Sequence, residues 1–144
     1  MDTSLQLTCV PVEYLSHVWD DAKALLERTL ATSTAKYSLD DVYTAVHNGE
    51  MLLWLVIDGS TPVAAITTRV IVYPRRRALA LDWIGGSRMS EWLPMLHTRM
   101  IAHAKLNDCQ HLEGYGRRAW GRLLEKHGWK PEYIAYKMEL TDAG

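Results

Sequence analysis

A short turn of small and polar residues lies between an apolar run and a helical pattern near the middle of the chain. The apolar run covers residues 78–84, and the turn that follows reads Gly85-Gly86-Ser87-Arg88-Met89-Ser90. A strand that passes through such a turn into a helix brings backbone N–H groups and the helix N-terminus to one place, which attracts anions. The sequence therefore predicts an anion-binding loop at residues 85–90.

The composition is that of an ordinary globular domain. The chain has 144 residues, of which 48% are hydrophobic and 23% charged, and its formal net charge is −1. This length predicts one domain with a sizeable core, and a charge near zero gives no global field to attract nucleic acid or an anionic membrane. Cys9 and Cys109 lie far apart in the chain without metal-ligand spacing, which argues against a disulfide framework or a zinc site and favours a reducing compartment.

The sequence shows no targeting or membrane-spanning signal. Its first residues lack a basic stretch followed by an apolar run, and no apolar stretch approaches the length of a membrane span. We therefore expect a soluble protein of the cytoplasm.

Apolar periodicity and turn signals predict ten elements in the order β-α-α-β-β-β-α-β-α-β. A capping box at Ser38 and Asp41 and the pair Asn48-Gly49 mark the two ends of the second helix. Residues expected to form strands are 5–10, 51–57, 62–73, 78–84, 110–115 and 133–140. Residues expected to form helices are 14–30, 38–47, 92–104 and 120–127.

The connections between these elements predict the fold class. Short turns join the second, third and fourth strands into an antiparallel meander. The long helix that follows connects the fourth strand to the fifth, which should therefore run parallel to it. No linker or repeat divides the chain. The result is one α+β domain with a central mixed, mostly antiparallel sheet flanked by helices.

This order resembles the GNAT fold of acyl-CoA-dependent N-acyltransferases, and two local motifs sharpen the resemblance. Residues 125–129 (Glu-Lys-His-Gly-Trp) are similar to that family's closing segment, in which Glu-Lys, one residue, glycine and an aromatic end a short helix. Residues 130–132, which lead into a strand with Lys-Met-Glu-Leu at 137–140, match the family's usual ending. The general look of the chain, including residues 113–118 before a tryptophan, is closest to small GNAT-like proteins of bacteriophages.

The resemblance implies that acetyl-CoA is the acyl donor. In the family, the strand before the long helix splays from its parallel neighbour, pantetheine lies in the gap, and backbone amides of a glycine-containing loop hold the pyrophosphate. Carried over to this chain, the pantetheine would contact Trp83, Ile84 and Gly85. The phosphates would contact Gly86, Ser87, Arg88, Met89 and Ser90. The Arg88 guanidinium would add a charge-assisted contact.

Two residues or segments depart from the family pattern. The loop at residues 85–90 is shorter than the family's Arg/Gln-x-x-Gly-x-Gly/Ala pattern and lacks its second glycine. The tyrosine that often protonates the departing CoA thiolate falls at Leu124, which has no proton to donate. The shortened loop bears on the affinity for CoA, and the leucine at position 124 bears on turnover by the usual route.

Acetyl transfer to an amine requires a base, an oxyanion-stabilising group and a proton for the thiolate. Glu113 is the candidate base, directly or through a water, and the alternative is a solvated carboxylate or one paired with Arg117 or Arg118. Tyr115 is the candidate acid, with an ordinary half-buried tyrosine as the alternative. The amide that follows Trp83 would polarise the thioester carbonyl.

The remaining side chains that could do chemistry can also be explained without a role in catalysis or metal binding. Asp82 lies inside an apolar strand and needs a partner, for which an arginine within 75–77 is as good an explanation as catalysis. The arginines at 117–122 predict a solvated helix face rather than a nucleic-acid site. His97 and His103 fall on different faces of their helix, so no metal site is predicted. Cys109 has no activating base nearby in the sequence.

Two functions of different classes are compatible with these features. The leading hypothesis is an N-acetyltransferase that passes the acetyl group directly from acetyl-CoA to a small-molecule or protein amine. The alternative is a GNAT-shaped binding or structural protein without turnover, such as a component of a phage virion. A homodimer or a partner within a phage particle is a further expectation, whereas membrane and nucleic-acid partners are not expected.

Overall fold

A five-stranded sheet with the strand order β1-β2-β3-β4-β5 forms the centre of the molecule. The computed structural model describes residues 5–31, 36–115 and 121–141. The strands are β1 (Leu5–Cys9), β2 (Leu52–Asp58), β3 (Thr61–Val72), β4 (Arg77–Gly86) and β5 (His111–Gly114). The helices are α1 (Leu15–Leu30), α2 (Leu39–His47), α3 (Met89–Leu106) and α4 (Gly121–Glu125), and a 3₁₀ turn, Val12–Tyr14, precedes α1.

The sheet has the mixed connectivity that the sequence predicts. Strands β1 to β4 pair antiparallel with their neighbours, and β5 pairs parallel to β4. The α+β class, the antiparallel meander and the parallel fifth strand are therefore confirmed. No helix in the described ranges is long and apolar enough to cross a membrane.

Two buried clusters place the helices on opposite faces of the sheet. Alternate residues of β2 point to opposite sides, so Trp54 and Val56 join one cluster while Leu53 and Leu55 join the other. Helix α3 packs on the first face and helices α1 and α2 on the second. This arrangement leaves β4, near one edge of the sheet, in contact with helices on both faces.

Local signals set the ends of the shorter helices as predicted. The Ser38 hydroxyl accepts from the Asp41 N–H at 3.2 Å, and the Asp41 carboxylate accepts from the Ser38 N–H at 2.8 Å, which lowers the pKa of Asp41. After α4, the Trp129 and Gly128 N–H groups donate to the carbonyls of Leu124 and Glu125, the two bonds of a Schellman motif. Gly128 has φ +89°, which explains the glycine at this position.

The predicted last strand at 133–140 is wrong. Residues 131–141 are irregular and exposed, and Ile134, Tyr136, Met138 and Leu140 are each at least 67% exposed. Alternating side chains suit a strand, but a strand also needs a neighbour to satisfy its backbone groups. In the described residues the sheet ladder ends at β5, so the alternation has no partner strand.

The boundary of β4 also differs from the prediction. Gly85 and Gly86, predicted to begin the loop, are the last residues of β4 and pair with Ala65 and Ala64. The predicted boundary followed the end of the apolar run at Ile84, whereas pairing with β3 extends the strand by two residues. The connection between β4 and α3 is correspondingly reduced to Ser87 and Arg88.

Candidate active site

Strands β4 and β5 separate partway along β4. Their parallel ladder joins Ala78–Leu81 of β4 to His111–Gly114 of β5, whereas β4 continues to Gly86. Beyond Leu81 the side of β4 that faces away from β3 therefore has no partner from β5. This opening is the place where a ligand can reach the backbone of the sheet.

A β-bulge marks the beginning of the opening. Thr67 of β3 pairs with Trp83 and Thr68 pairs with Leu81, so Asp82 is the extra residue of β4. A bulge bends its strand and increases the local twist, and this one lies at the point where β4 leaves β5. The register of the sheet thus positions the opening.

Asp82 obtains its partner from the neighbouring strand. The Arg69 Nε lies 2.6 Å from the Asp82 carboxylate, whose side chain is only 8% exposed. The expectation of a partner at 75–77 is wrong because the arginines there belong to the hairpin end, whereas Arg69 lies across the ladder beside the bulge. A nearly buried carboxylate is costly without a cation, and the ion pair with Arg69 offsets part of that cost.

A cleft of about 780 Å³ occupies the opening. From the α3 side it is lined by Leu93, Leu96 and His97, and from the α1 and α2 side by Arg28, Thr29 and Tyr37. Because these helices lie on opposite faces, the cleft passes through the sheet between β4 and β5. Two ligands that enter from opposite faces could therefore meet at the backbone of β4.

The backbone amide of Ile84 points into this opening. The Ser87 N–H donates to the Val63 carbonyl at 3.0 Å, which makes Ala64 and Gly86 a non-hydrogen-bonded pair of the antiparallel ladder. Because pair types alternate, Ile66 and Ile84 also form a non-hydrogen-bonded pair, and both backbone polar groups of Ile84 face away from β3. The Ile84 carbonyl accepts from the Thr29 hydroxyl at 2.9 Å, in agreement with this orientation.

Trp83 and Ile84, two of the residues predicted to contact pantetheine, line the cleft. Their side chains point to opposite faces, since Trp83 packs against the α1 and α2 cluster and Ile84 against the α3 cluster. The Trp83 ring meets Tyr37 edge-on at 5.5 Å. Its buried Nε1 has no hydrogen-bond partner among the described residues.

Gly85 and Gly86 lie where the backbone is closely packed. A Cβ at Gly85 would overlap the carbonyl oxygen of Leu25 in α1, and one at Gly86 would lie 2.6 Å from the Cα of Ala64. Both glycines, with Met89, border a smaller cavity of about 340 Å³ between α1 and the beginning of α3. Gly85 therefore permits the close approach of α1 to β4, and Gly86 permits the close approach of β3 to β4.

The groups of the connection are already engaged. The Ser87 carbonyl accepts from the Trp92 Nε1 at 2.6 Å, and its N–H is used in the ladder. The Arg88 guanidinium lies 2.5 Å from Asp58 and 2.7 Å from Glu91, which raises its pKa. These carboxylates neutralise the cation that the sequence assigns to pyrophosphate. The residues that line the two cavities in the described part of the chain do not include Ser87, Arg88 or Ser90.

Glu113 lies on β5, and its carboxylate is hydrogen-bonded to Tyr73 and His111. It accepts from the Tyr73 hydroxyl and from His111 Nε2, each at 2.9 Å, and its side chain is 14% exposed. The hydrogen bond to Glu113 raises the pKa of Tyr73 to about 12. Leu112, the preceding residue, lines the cleft, whereas Glu113 points to the opposite side of β5. The predicted alternative partners, Arg117 and Arg118, lie outside the described residues.

Tyr115 borders the cleft just beyond β5. Tyr115 is 61% exposed, so the half-buried tyrosine considered from the sequence is not what the fold produces. Slight desolvation of its phenol raises its pKa, and a hydrogen bond with Tyr133 adds to this effect. Tyr115 is therefore protonated at neutral pH, the state that a proton donor requires. Of the two predicted catalytic residues, the fold brings Tyr115 to the cleft and leaves Glu113 outside its described lining.

Two histidines at the cleft were missed by sequence reasoning. Leu124 lines the cleft, and so does His127 one helical turn later. The His127 ring lies 5.1 Å from His97 of α3, and Trp129 lies 6.5 Å from His97. Burial lowers the pKa of His97, and the charge of His127 lowers it further. The spacing of Leu124 and His127 was visible in the sequence, but the contact between α3 and the end of α4 was not.

Within residues 5–31, 36–115 and 121–141, no three His, Cys, Asp or Glu side chains are grouped as a metal site. The polar groups of the cleft include the Ile84 backbone amide, the phenols of Tyr37 and Tyr115, two imidazoles, the Asp82 carboxylate and a set of basic side chains. Such groups suit transfer of an acyl group and its accompanying protons.

No protein-family model and no curated protein matches this sequence. Solved acetyltransferase structures nevertheless resemble the fold over nearly its whole length. A probable acetyltransferase matches with a TM-score of 0.72 and 11% identity, covering 95% of this chain and 99% of its own. A predicted acetyltransferase from Clostridium acetobutylicum, solved with acetyl-CoA, matches with a TM-score of 0.69 and 10% identity, covering 94% and 96%.

An aminoglycoside acetyltransferase from an uncultured soil metagenomic sample, in complex with sisomicin, also matches. Its TM-score is 0.69 at 8% identity, and the match covers 95% of this chain and 97% of the other. Sequence identities this low carry information about the fold alone. The similarity to these structures, together with the splayed strands, establishes that this chain has the GNAT fold.

Proposed function

We propose that this protein transfers an acetyl group from acetyl-CoA to an amine. The observation that carries the proposal is the Ile84 amide, which points into a cleft that opens on both faces of the sheet. A donor in the gap and an acceptor from the other face would meet at this amide. Similarity to acetyltransferase structures, one of them solved with acetyl-CoA, supports the proposal.

The proposed reaction is direct. The neutral amine nitrogen attacks the thioester carbonyl, and the Ile84 N–H donates to the oxygen on which negative charge develops. The carbon–sulfur bond then breaks, the thiolate takes a proton and the nitrogen loses one. Holding both reactants against one backbone amide supplies orientation as well as electrostatic stabilisation. No enzyme nucleophile is required.

For proton transfer we propose Tyr115 or His127 as the acid and retain Glu113 as a base that acts through water. Leu124 leaves the position of the family's usual acid without a proton, while His127 and Tyr115 border the same cleft. Glu113 is held by Tyr73 and His111, so it would act at a distance. For the loop at residues 85–90 we propose phosphate contacts through those backbone N–H groups that the sheet does not use. The Ser87 N–H is engaged in the ladder, and the Arg88 guanidinium is paired with Asp58 and Glu91.

The proposal is tested by calorimetric titration with acetyl-CoA and CoA, followed by a thiol-release assay over a panel of amines. We expect a dissociation constant in the micromolar range and CoA release that depends on the amine. The absence of heat and of a thermal shift at millimolar ligand would contradict the proposal.

Substitutions separate the three proton-transfer candidates. Loss of a general acid or base lowers the rate by about 10²-fold or more, so the residue in that role should show such a drop in kcat. The variants are Tyr115→Phe, His127→Gln and Glu113→Gln, with exposed His17→Gln as the matched control. The pH profile of kcat should lose one limb in the responsible variant. An unchanged kcat in a variant removes that residue from the scheme.

A second candidate function is a binding or structural protein that has kept the fold and lost turnover. Leu124 at the cleft and the neutralised Arg88 favour it. It predicts that the protein co-purifies in stoichiometric amounts with a partner. For this case we propose a phage particle as the partner, which would place the protein in the virion instead of the cytoplasm. The absence of heat in the titration with acetyl-CoA and CoA would favour this candidate.

A further inference from the structure

The charged side chains of the cleft are mostly basic. Arg28, Lys36 and Arg69 line it, and Asp82 is the carboxylate among its described lining residues. Arg69 and Asp82 form an ion pair at 2.6 Å, so together they add no net charge. Within the described residues, neither Arg28 nor Lys36 has a carboxylate within ion-pair distance, although both are exposed enough to reach a ligand.

These two cations lie on the side of the cleft opposite α3. Arg28 belongs to the last turns of α1, and Lys36 stands before α2, whereas the connection from β4 leads into α3 on the other face. Both residues border the large cleft, and Arg28 in addition borders the smaller cavity beside Gly85. An acceptor that enters from the α1 and α2 face therefore passes Lys36 and Tyr37.

Charge in a cleft acts more strongly than on an open surface. Low-dielectric walls concentrate the field and raise the local concentration of ligands of opposite sign. Two cations that have no carboxylate partner among the described residues repel a polycationic amine and attract an anionic group. They also lower the pKa of a nearby ammonium group, which favours the neutral nucleophile that acyl transfer requires.

We propose that the acceptor is an amine that also carries a carboxylate or a phosphate, recognised by Lys36 and Arg28 on the α1 and α2 face. This inference rests on the proposed acetyl transfer and specifies its substrate class. The anionic group holds the acceptor where the cleft opens on the α1 and α2 face, and the amine points inward to the Ile84 amide.

Matched acceptors test the class. The probes are 2-aminoethyl phosphate against ethanolamine and glycine against glycinamide, with sisomicin as a polycation, each assayed by CoA release. We expect kcat/KM at least about tenfold higher for the anionic member of each pair, a difference of about 1.4 kcal/mol. The preference should shrink as the salt concentration rises, because salt screens these charges.

Lys36→Gln tests the residue, and Arg76→Gln, in the exposed turn between β3 and β4, is its charge-matched control. Lys36→Gln should raise KM for 2-aminoethyl phosphate about tenfold and leave KM for ethanolamine and for acetyl-CoA unchanged. The control should leave all three unchanged.

The outcomes distinguish this inference from the function on which it rests. Transfer to none of the amines, with no acetyl-CoA binding, overturns the proposed function. Transfer that favours neutral or polycationic amines overturns the inference alone. An effect of Lys36→Gln confined to the KM of acetyl-CoA would assign the cation to the donor's phosphates and would also overturn it.

Discussion

Replacing Ile84 with proline is expected to lower kcat by about a hundredfold while acetyl-CoA still binds. Proline has no N–H, and the N–H of this residue is the group that we expect to stabilise the oxyanion. The pair formed by Ile66 and Ile84 is non-hydrogen-bonded, so the ladder between β3 and β4 loses no bond. The position thus satisfies the condition under which a strand accepts proline, an N–H turned away from its neighbour.

Ile84→Val is the control for this substitution because it shortens the same side chain and keeps the N–H. A similar loss of activity in both variants would assign the effect to packing in the α3 cluster and contradict the proposed role of the amide. Circular dichroism and calorimetric titration establish whether the proline variant is folded and binds acetyl-CoA. If it unfolds, the infrared carbonyl frequency of acetyl-CoA bound to the unaltered protein tests the same hydrogen bond. Binding without a shift to lower frequency would count against it.

The sequence predicted those parts of the fold that depend on local patterns. The capping box at Ser38, the helix stop at Gly128 and the meander of β2 to β4 all follow from residues close together in the chain. The strand predicted at 133–140 failed for the opposite reason. Its alternation is a local property, but strand formation depends on a neighbouring edge elsewhere in the chain.

The candidate site was predictable only in outline. Resemblance to a family pointed to Trp83 and Ile84, but the bulge at Asp82 depends on how Thr67 and Thr68 pair across the sheet, which no spacing along the chain encodes. Glu113 was a reasonable base by position. Its partner Tyr73 lies 40 residues away in sequence and approaches only because β3 and β5 flank β4.

Gly85→Ala is expected to destabilise the fold by about 3 kcal/mol or more, because overpacking against a rigid backbone has no side chain to relieve it. The added Cβ would overlap the Leu25 carbonyl and lie 3.1 Å from the Thr29 hydroxyl. Helix α1 would have to move, and the hydrogen bond from Thr29 to Ile84 would be strained with it. At this chain length we expect a melting temperature lower by about 10 °C in thermal unfolding.

Gly121→Ala is the matched control, since a Cβ there meets no atom of the described residues within 4 Å and alanine favours the helix. It should leave the melting temperature unchanged or slightly raised. The pair also separates two explanations for glycine at position 85. A glycine needed only so that phosphates can approach would give Gly85→Ala an unchanged melting temperature and weaker acetyl-CoA binding. A glycine needed for the contact between α1 and β4 gives the loss of stability without any ligand present, and the position of the Leu25 carbonyl favours this second explanation.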